Sequence, residues 1–213
     1  MNKNNSLLPA TCYLLPVTCS LLPANCYLSI DSASSILSVA INKGEQIFYK
    51  ETEEARHSES AMALIDDLMK TAALKPSDLA GVVCMKGPGS FTGLRIGYSI
   101  AKGLALSLSI PFTVVPTLDC MALPFRDENE PVLCAIQSKK NAWFYSVYKN
   151  GVPQSAIKEG DIEQLEAENI RIIYKDRGYA KELLEIGSKL EFTDSELLAG
   201  PEYVRGHESE VTH

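Results

Sequence analysis

A mixed α/β fold follows from three features of the sequence. Gly81-Val82-Val83-Cys84-Met85 has the character of a short buried strand, and it passes through Gly87-Pro88-Gly89 into a helix with a small-residue face. Ahead of it, three strand-like runs joined by short polar turns lead into an amphipathic helix. Behind it, strands and helices alternate again, at lower density. With 213 residues and 46% apolar content the chain can bury one good core or two small ones, and 22% charged residues is ordinary for a soluble globular protein.

Residues 1–25 stand apart. Leu7-Leu8-Pro9-Ala10-Thr11-Cys12-Tyr13 recurs as Leu14-Leu15-Pro16-Val17-Thr18-Cys19-Ser20 and as Leu21-Leu22-Pro23-Ala24-Asn25-Cys26-Tyr27. A proline in every repeat breaks any helix, which removes the coiled-coil reading of the heptad. Only Lys3 is basic ahead of this proline-broken run, a poor fit to a signal peptide. The stretch is expected to be a repetitive, disordered extension, from a translated tandem repeat or an early start site.

The elements follow in order. Tyr27 to Asp31, Leu37 to Asn42 and Gln46 to Glu51 read as strands, the last two paired through the hairpin turn at Asn42-Lys43-Gly44-Glu45. Ser58 to Leu74 reads as a helix, with Ser58 as N-cap and Pro76 beyond its end. Its apolar face holds Ala61, Met62, Ile65, Leu68, Met69 and Ala72, leaving Asp66, Asp67 and Lys70 to water. Glycine admits positive φ, and proline fixes its own φ and lacks a donor, so Gly87, Pro88 and Gly89 force a tight turn before a helix from Phe91 to about Leu108. Gly93, Gly97, Ala101 and Ala105 give that helix one face with almost no side chain, which another backbone can approach closely. A strand at Phe112 to Val115 ends the first half. The second half is expected to hold strands at Val132 to Ile136 and Trp143 to Tyr148, a helix near Ile162 to Glu166, a strand at Ile170 to Tyr174 and a helix at Tyr179 to Leu190.

Gly87-Pro88-Gly89-Ser90-Phe91-Thr92-Gly93-Leu94-Arg95-Ile96-Gly97, together with the upstream strand end Ile30-Asp31-Ser32-Ala33, resembles the bacterial TsaB (YeaZ) family. Gly103-Leu104-Ala105, Pro116-Thr117-Leu118 and the late Pro201-Glu202-Tyr203-Val204-Arg205 extend the resemblance over roughly Cys26 to Arg205. The resemblance, not the periodicity, selects a ribonuclease-H-like fold of the actin-like ATPase superfamily, with two lobes and a reduced second lobe. It implies a division into residues 1–25, an N-terminal domain over 26–121 and a reduced second domain with an acidic tail over 122–213.

The same resemblance implies a non-catalytic accessory subunit of the machinery that makes threonylcarbamoyladenosine in tRNA. It would bind and activate a TsaD-like catalytic paralogue, with a TsaE-like P-loop ATPase in the complex and tRNA held indirectly through the partner. A homodimer is expected when the partner is absent. The alternative is a small ATP-dependent phosphotransferase of the sugar-kinase superfamily, and a self-associating scaffold is a third class. No cofactor, no membrane contact and a cytoplasmic location are expected. The net charge of −7 and pI of about 5.1 repel a polyanion, so a basic partner would have to grip the tRNA.

The candidate residues carry two readings each. Asp31 ends the first strand, where active members of the superfamily place an acid that holds a metal-nucleotide; a turn-forming Asx residue is the simpler reading. The turn with Gly87, Gly89, Gly93 and Gly97 resembles a phosphate cradle but lacks the lysine and hydroxyl of a P-loop, so close helix packing is the main expectation, with Ser90 and Thr92 as capping residues. Where the family has Asp-Ala-Arg-Arg and Gly-Asp-Gly-Ala, this chain has Gln137-Ser138-Lys139-Lys140 and Lys175-Asp176-Arg177-Gly178, changes that weaken nucleotide binding. His57 lacks a second imidazole at position 61, and Cys84, Cys120 and Cys134 are solitary, so neither a metal site nor a disulfide framework is expected. By analogy with the family's four-helix interface, the partner surface is expected on the two helices, through His57, Ala61, Met62, Ile65, Leu68, Arg95, Ile96, Ser99 and Ile100.

Overall fold

A computed structural model describes residues 25–53, 57–161, 170–190 and 200. β1 (Cys26–Asp31), β2 (Leu37–Lys43) and β3 (Gln46–Thr52) form a meander, and α1 (His57–Thr71) leads to β4 (Leu79–Gly87). Then come α2 (Phe91–Leu108), β5 (Phe112–Pro116) and α3 (Thr117–Ala122). The first sheet has the order β3-β2-β1-β4-β5, with the meander antiparallel and β1, β4 and β5 parallel. Three antiparallel strands extended by two parallel ones through helical crossovers is the ribonuclease-H-like arrangement. The second half adds β6 (Val132–Lys139), β7 (Ala142–Lys149), β8 (Val152–Pro153), β9 (Lys158–Gly160), β10 (Arg171–Tyr174) and α4 (Ala180–Gly187). Its sheet runs β10-β6-β7-β8, with β9 also paired to β7.

Period-two alternation along β1 assigns the two faces of the first sheet. Leu28 and Ile30 join Val39, Ile41, Val82 and Cys84 beneath α1 and α2, against Ala61, Ile65, Leu68, Tyr98 and Ala101. Ser29 and Asp31 face the other way, toward α4, where Ala40 meets Ala180 and Leu184. Val83, Met85 and Val115 on that side share a cluster with Leu118, Met121 and Leu183 and with Val132, Cys134, Ile136 and Phe144 of the second sheet. The two sheets thus bury a common seam, and α4 of the second half packs on the first sheet.

Most expected elements recur with shifted ends. α1 stops at Thr71 rather than Leu74, because Ala73 adopts a φ of 50° and the Lys43 ammonium takes the Ala72 carbonyl at 2.9 Å. β6 and β7 run further than expected, since the hairpin pairs Lys139 with Ala142 through Asn141 at a φ of 61°. α4 is shorter than its expected span and ends at Gly187. The short, almost wholly buried α3 escaped the sequence reading, as its residues Leu118, Cys120, Met121 and Ala122 show no amphipathic period. The helix expected near Ile162 to Glu166 and the late Pro201-to-Arg205 motif lie outside the described residues, as do residues 1–24.

Candidate functional site

The glycine turn is locked to the turn after β1. Ser90 N–H donates to the Ala33 carbonyl at 2.7 Å, and the Ser32 hydroxyl donates to the Gly93 carbonyl at 2.8 Å. A Cβ at Gly89 would fall closer than 3.0 Å to Ala33, and one at Gly93 closer than 3.0 Å to the Ser32 carbonyl oxygen, separations that real Cβ atoms do not adopt. At Gly97 a Cβ would strike the Ser32 hydroxyl and come within 3.4 Å of Cys84 Sγ. Gly93, Gly97, Ala101 and Ala105 are all buried. The small-residue face of α2 therefore seats the β1 turn and the sheet of its own chain.

The start of α2 is capped from within the chain. Ser90 caps α2, its hydroxyl accepting from Gly93 N–H at 3.2 Å. Leu94 N–H reaches the Ser90 carbonyl at 2.8 Å, so three backbone donors at the start of α2 already have partners within the chain. Thr92 is exposed and Ser90 alone makes the cap.

Asp31 is fully buried and tied down on both oxygens. Oδ1 accepts from Ala33 N–H at 3.1 Å, the Asx turn expected of it. Oδ2 accepts from the Lys175 ammonium and from Tyr179 N–H, both at 2.8 Å. Lys175, whose side chain is also buried, donates further to the Arg177 carbonyl at 3.1 Å. A metal-nucleotide held at this carboxylate would need free oxygens facing a cleft. Here the cation facing Asp31 belongs to the chain, and the residues present do not fit the metal-nucleotide of the superfamily. Among the described residues, no three His, Cys, Asp or Glu side chains gather as a metal-ligand set. Sequence reasoning missed the role of Lys175, because nothing local distinguishes a lysine after a strand from a solvated one.

A second polar pair, a half-buried Asp119 with a buried Tyr148, sits at the seam of the two sheets. Tyr148 donates to Asp119 Oδ1 at 2.6 Å. Burial pushes the Asp119 carboxyl above its ordinary range, although the Tyr148 hydrogen bond and the Lys86 charge pull the other way. Burial, with the neighbouring carboxylate, pushes the Tyr148 hydroxyl up as well.

Several residues expected at a partner surface are buried within this chain. Ala61, Ile65 and Leu68 are core residues beneath α1, packed against the sheet and out of reach of any partner. Ile96 and Ile100 are half-buried, and Ile100 packs on the same core. Met62, Arg95 and Ser99 are exposed, while His57 opens α1. Six large apolar side chains stand exposed among the described residues, and three of them lie on these helices: Met62 at 47%, Phe91 at 40% and Leu106 at 65%. On α2, Phe91, Arg95, Ser99 and Leu106 fall on one stripe at helical spacing, opposite the glycine face. The Arg95 guanidinium lies 3.8 Å from the Phe91 ring centre, a cation–π contact that holds both at the surface.

Comparison with known proteins gives this geometry a context. The TsaD family model, described as tRNA N6-adenosine threonylcarbamoyltransferase, matches residues 50–177. The chain is 34% identical over 154 residues to the tRNA threonylcarbamoyladenosine biosynthesis protein TsaB of Buchnera aphidicola subsp. Acyrthosiphon pisum, covering 68% of this chain and 70% of that one. It is 31% identical over 140 residues to TsaB of Bacillus subtilis, covering 63% and 61%, and 34% identical over 131 residues to TsaB of Escherichia coli, covering 59% and 57%. The chain thus spans about three fifths of the length of the last two relatives. Among solved structures, a Pseudomonas aeruginosa protein described as similar to peptidase YEAZ superposes with a TM-score of 0.74 at 21% identity, over 85% of this chain and 100% of that one. YeaZ of the same organism gives a TM-score of 0.67 at 20% identity, over 77% and 91%. These two likenesses show the fold.

Proposed function

We propose that this chain, which belongs to the TsaB family, is an accessory subunit in the synthesis of threonylcarbamoyladenosine in tRNA and leaves the transfer reaction to a TsaD-like partner. The observation that carries the reading is the exposed stripe of α2, with Met62 of α1, standing opposite the glycine-seated face. Apolar side chains on two adjacent helices are suited to meeting a second helix pair, and an aromatic and an arginine at such a stripe are the residue types that anchor interfaces. Asp31 is committed to Lys175, which speaks against chemistry at that carboxylate. In this reading the partner supplies the catalytic groups and the basic surface for tRNA, and a TsaE-like ATPase completes the complex. When the partner is absent, the same stripe pairs two copies of this chain.

Co-purification with the organism's own TsaD-like paralogue, gel filtration with light scattering and an assay of modified tRNA test it. A one-to-one complex is expected, with activity lost when this chain is omitted. Met62→Lys and Leu106→Glu should each weaken the complex at least tenfold while melting within about 2 °C of the native chain, since exposed sites tolerate substitution. Ile65 is not a fair test position, because a charge there would enter the core. A complex unaffected by both exposed substitutions would overturn the assignment of the face.

A further inference from the structure

We infer that Lys175 is an internal counter-cation that latches the C-terminal half of the chain to the first sheet at Asp31, so that the chain's own ammonium, and not a bound metal-nucleotide, satisfies that carboxylate. The two side chains come from the two halves of the sequence, 144 residues apart, and both are buried, at 1% and 0% exposure. An ammonium and a carboxylate removed from water are each costly alone, and they persist only as a hydrogen-bonded pair. This pair has that completion: Asp31 receives Lys175, Tyr179 N–H and Ala33 N–H, and Lys175 reaches the Arg177 carbonyl.

The ion pair is the centre of a wider seam. The Ser29 hydroxyl donates to the Ala180 carbonyl at 2.7 Å, Ala180 N–H donates to the Ser38 hydroxyl at 3.2 Å and Gly178 N–H donates to Glu51 Oε2 at 3.1 Å. β1, β2 and β3 each thus contribute a polar side chain to the segment that leads into α4. That segment also approaches very closely, since a Cβ at Gly178 would collide with Ser38 and one at Gly187 with Val83. All these contacts converge on Lys175 to Gly187, so the latch holds one defined body, α4 and its entry, against the first sheet.

Thermal unfolding of the full-length chain tests the inference through a double-mutant cycle on Lys175→Met and Asp31→Asn, with hydrogen exchange as a local readout. Each single substitution strands a buried group and should lower the Tm by roughly 10 °C. The double substitution leaves two neutral side chains of similar size and should recover more than half of that loss. Exchange in either single variant should quicken over residues 175–187 and at the end of β1, and stay unchanged in the β6–β7 hairpin. Magnesium with millimolar ATP or ADP should leave the native Tm unmoved, because a ligand that binds only the folded state must raise it. Additive losses in the double variant, or a dose-dependent rise with either nucleotide, would overturn the inference. Should Lys175→Met fail to accumulate, Asp31→Asn alone still decides through exchange, and unchanged protection of residues 175–187 would refute the latch.

Discussion

Adding one methyl group at three positions of the same helix should give three different answers. At Gly93 the new Cβ would meet the Ser32 carbonyl oxygen closer than 3.0 Å, with Ser90 Oγ at 3.2 Å on its other side. The obstacle is backbone, and it is held by the Ser32-to-Gly93 and Ser90-to-Ala33 hydrogen bonds, so it cannot swing aside. Overpacking of this kind costs about 1–3 kcal/mol and the strained hydrogen bond about 1 more, against less than about 1 recovered from helix propensity. The net loss of about 2–3 kcal/mol should lower the Tm of Gly93→Ala by about 5–10 °C. At Gly97 the neighbour is the Ser32 hydroxyl, which can rotate, so Gly97→Ala should lose less. At Gly103 nothing lies within 4 Å of the added atom, and Gly103→Ala should gain up to about 1 kcal/mol. Calorimetric or circular-dichroism melting of the three variants measures the order directly. Equal stability of Gly93→Ala and Gly103→Ala would refute the claim that the glycine turn serves close packing.

Two more outcomes follow from titratable groups shifted by burial, in part or in full. Asp119 has a folded-state pKa raised above its unfolded value, so the folded chain binds the extra proton, and its contribution to stability is fully present below the unfolded value and is lost as pH rises through the folded one. Asp119→Asn should therefore flatten the decline of Tm with rising pH just above the ordinary aspartate range, whereas Tyr148→Phe, by removing a bond to the carboxylate, should extend it upward; pH-dependent melting distinguishes them. Burial raises the Cys84 and Cys120 thiols and pushes Cys134 up to about 12, so pulse alkylation at pH 8 followed by mass spectrometry should leave all three unmodified until the chain unfolds.

The legible parts of this fold are those whose physics is local. The strand, glycine turn and small-residue helix from Gly81 to Ala105 could be read residue by residue, because φ restrictions, capping and four-residue spacing act within a few positions. Burial on α1 was legible as a stripe but its depth was not: Met62 and Ile65 share an apolar pattern, yet only Ile65 reaches the sheet. α3 was not legible, since a short helix buried on nearly every side carries no period. The Asp31–Lys175 pair was least legible of all, because the partner of a buried carboxylate 144 residues away is set by how the halves of the chain meet and leaves no local mark. The exposed stripe of α2 lay between these cases, its helix identifiable and its exposed members only partly so.

The glycine turn and the exposed stripe are consequences of one another. A helix that presents Gly93, Gly97, Ala101 and Ala105 inward sits closer to its sheet than side chains of ordinary size would allow, and its rotation about its own axis is fixed by the Ser32 hydroxyl and the Ser90 cap. Fixing the inner face fixes the outer one, so Phe91, Arg95, Ser99 and Leu106 are displayed at a set height and angle above the sheet. An interface built on rigid elements loses little entropy when it forms, which favours association without any change of shape in this chain. The latch at Asp31 acts from the opposite face of the sheet, where it holds α4 against the strands. The glycine turn and the Asp31–Lys175 pair thus position elements of this chain from the two faces of the first sheet.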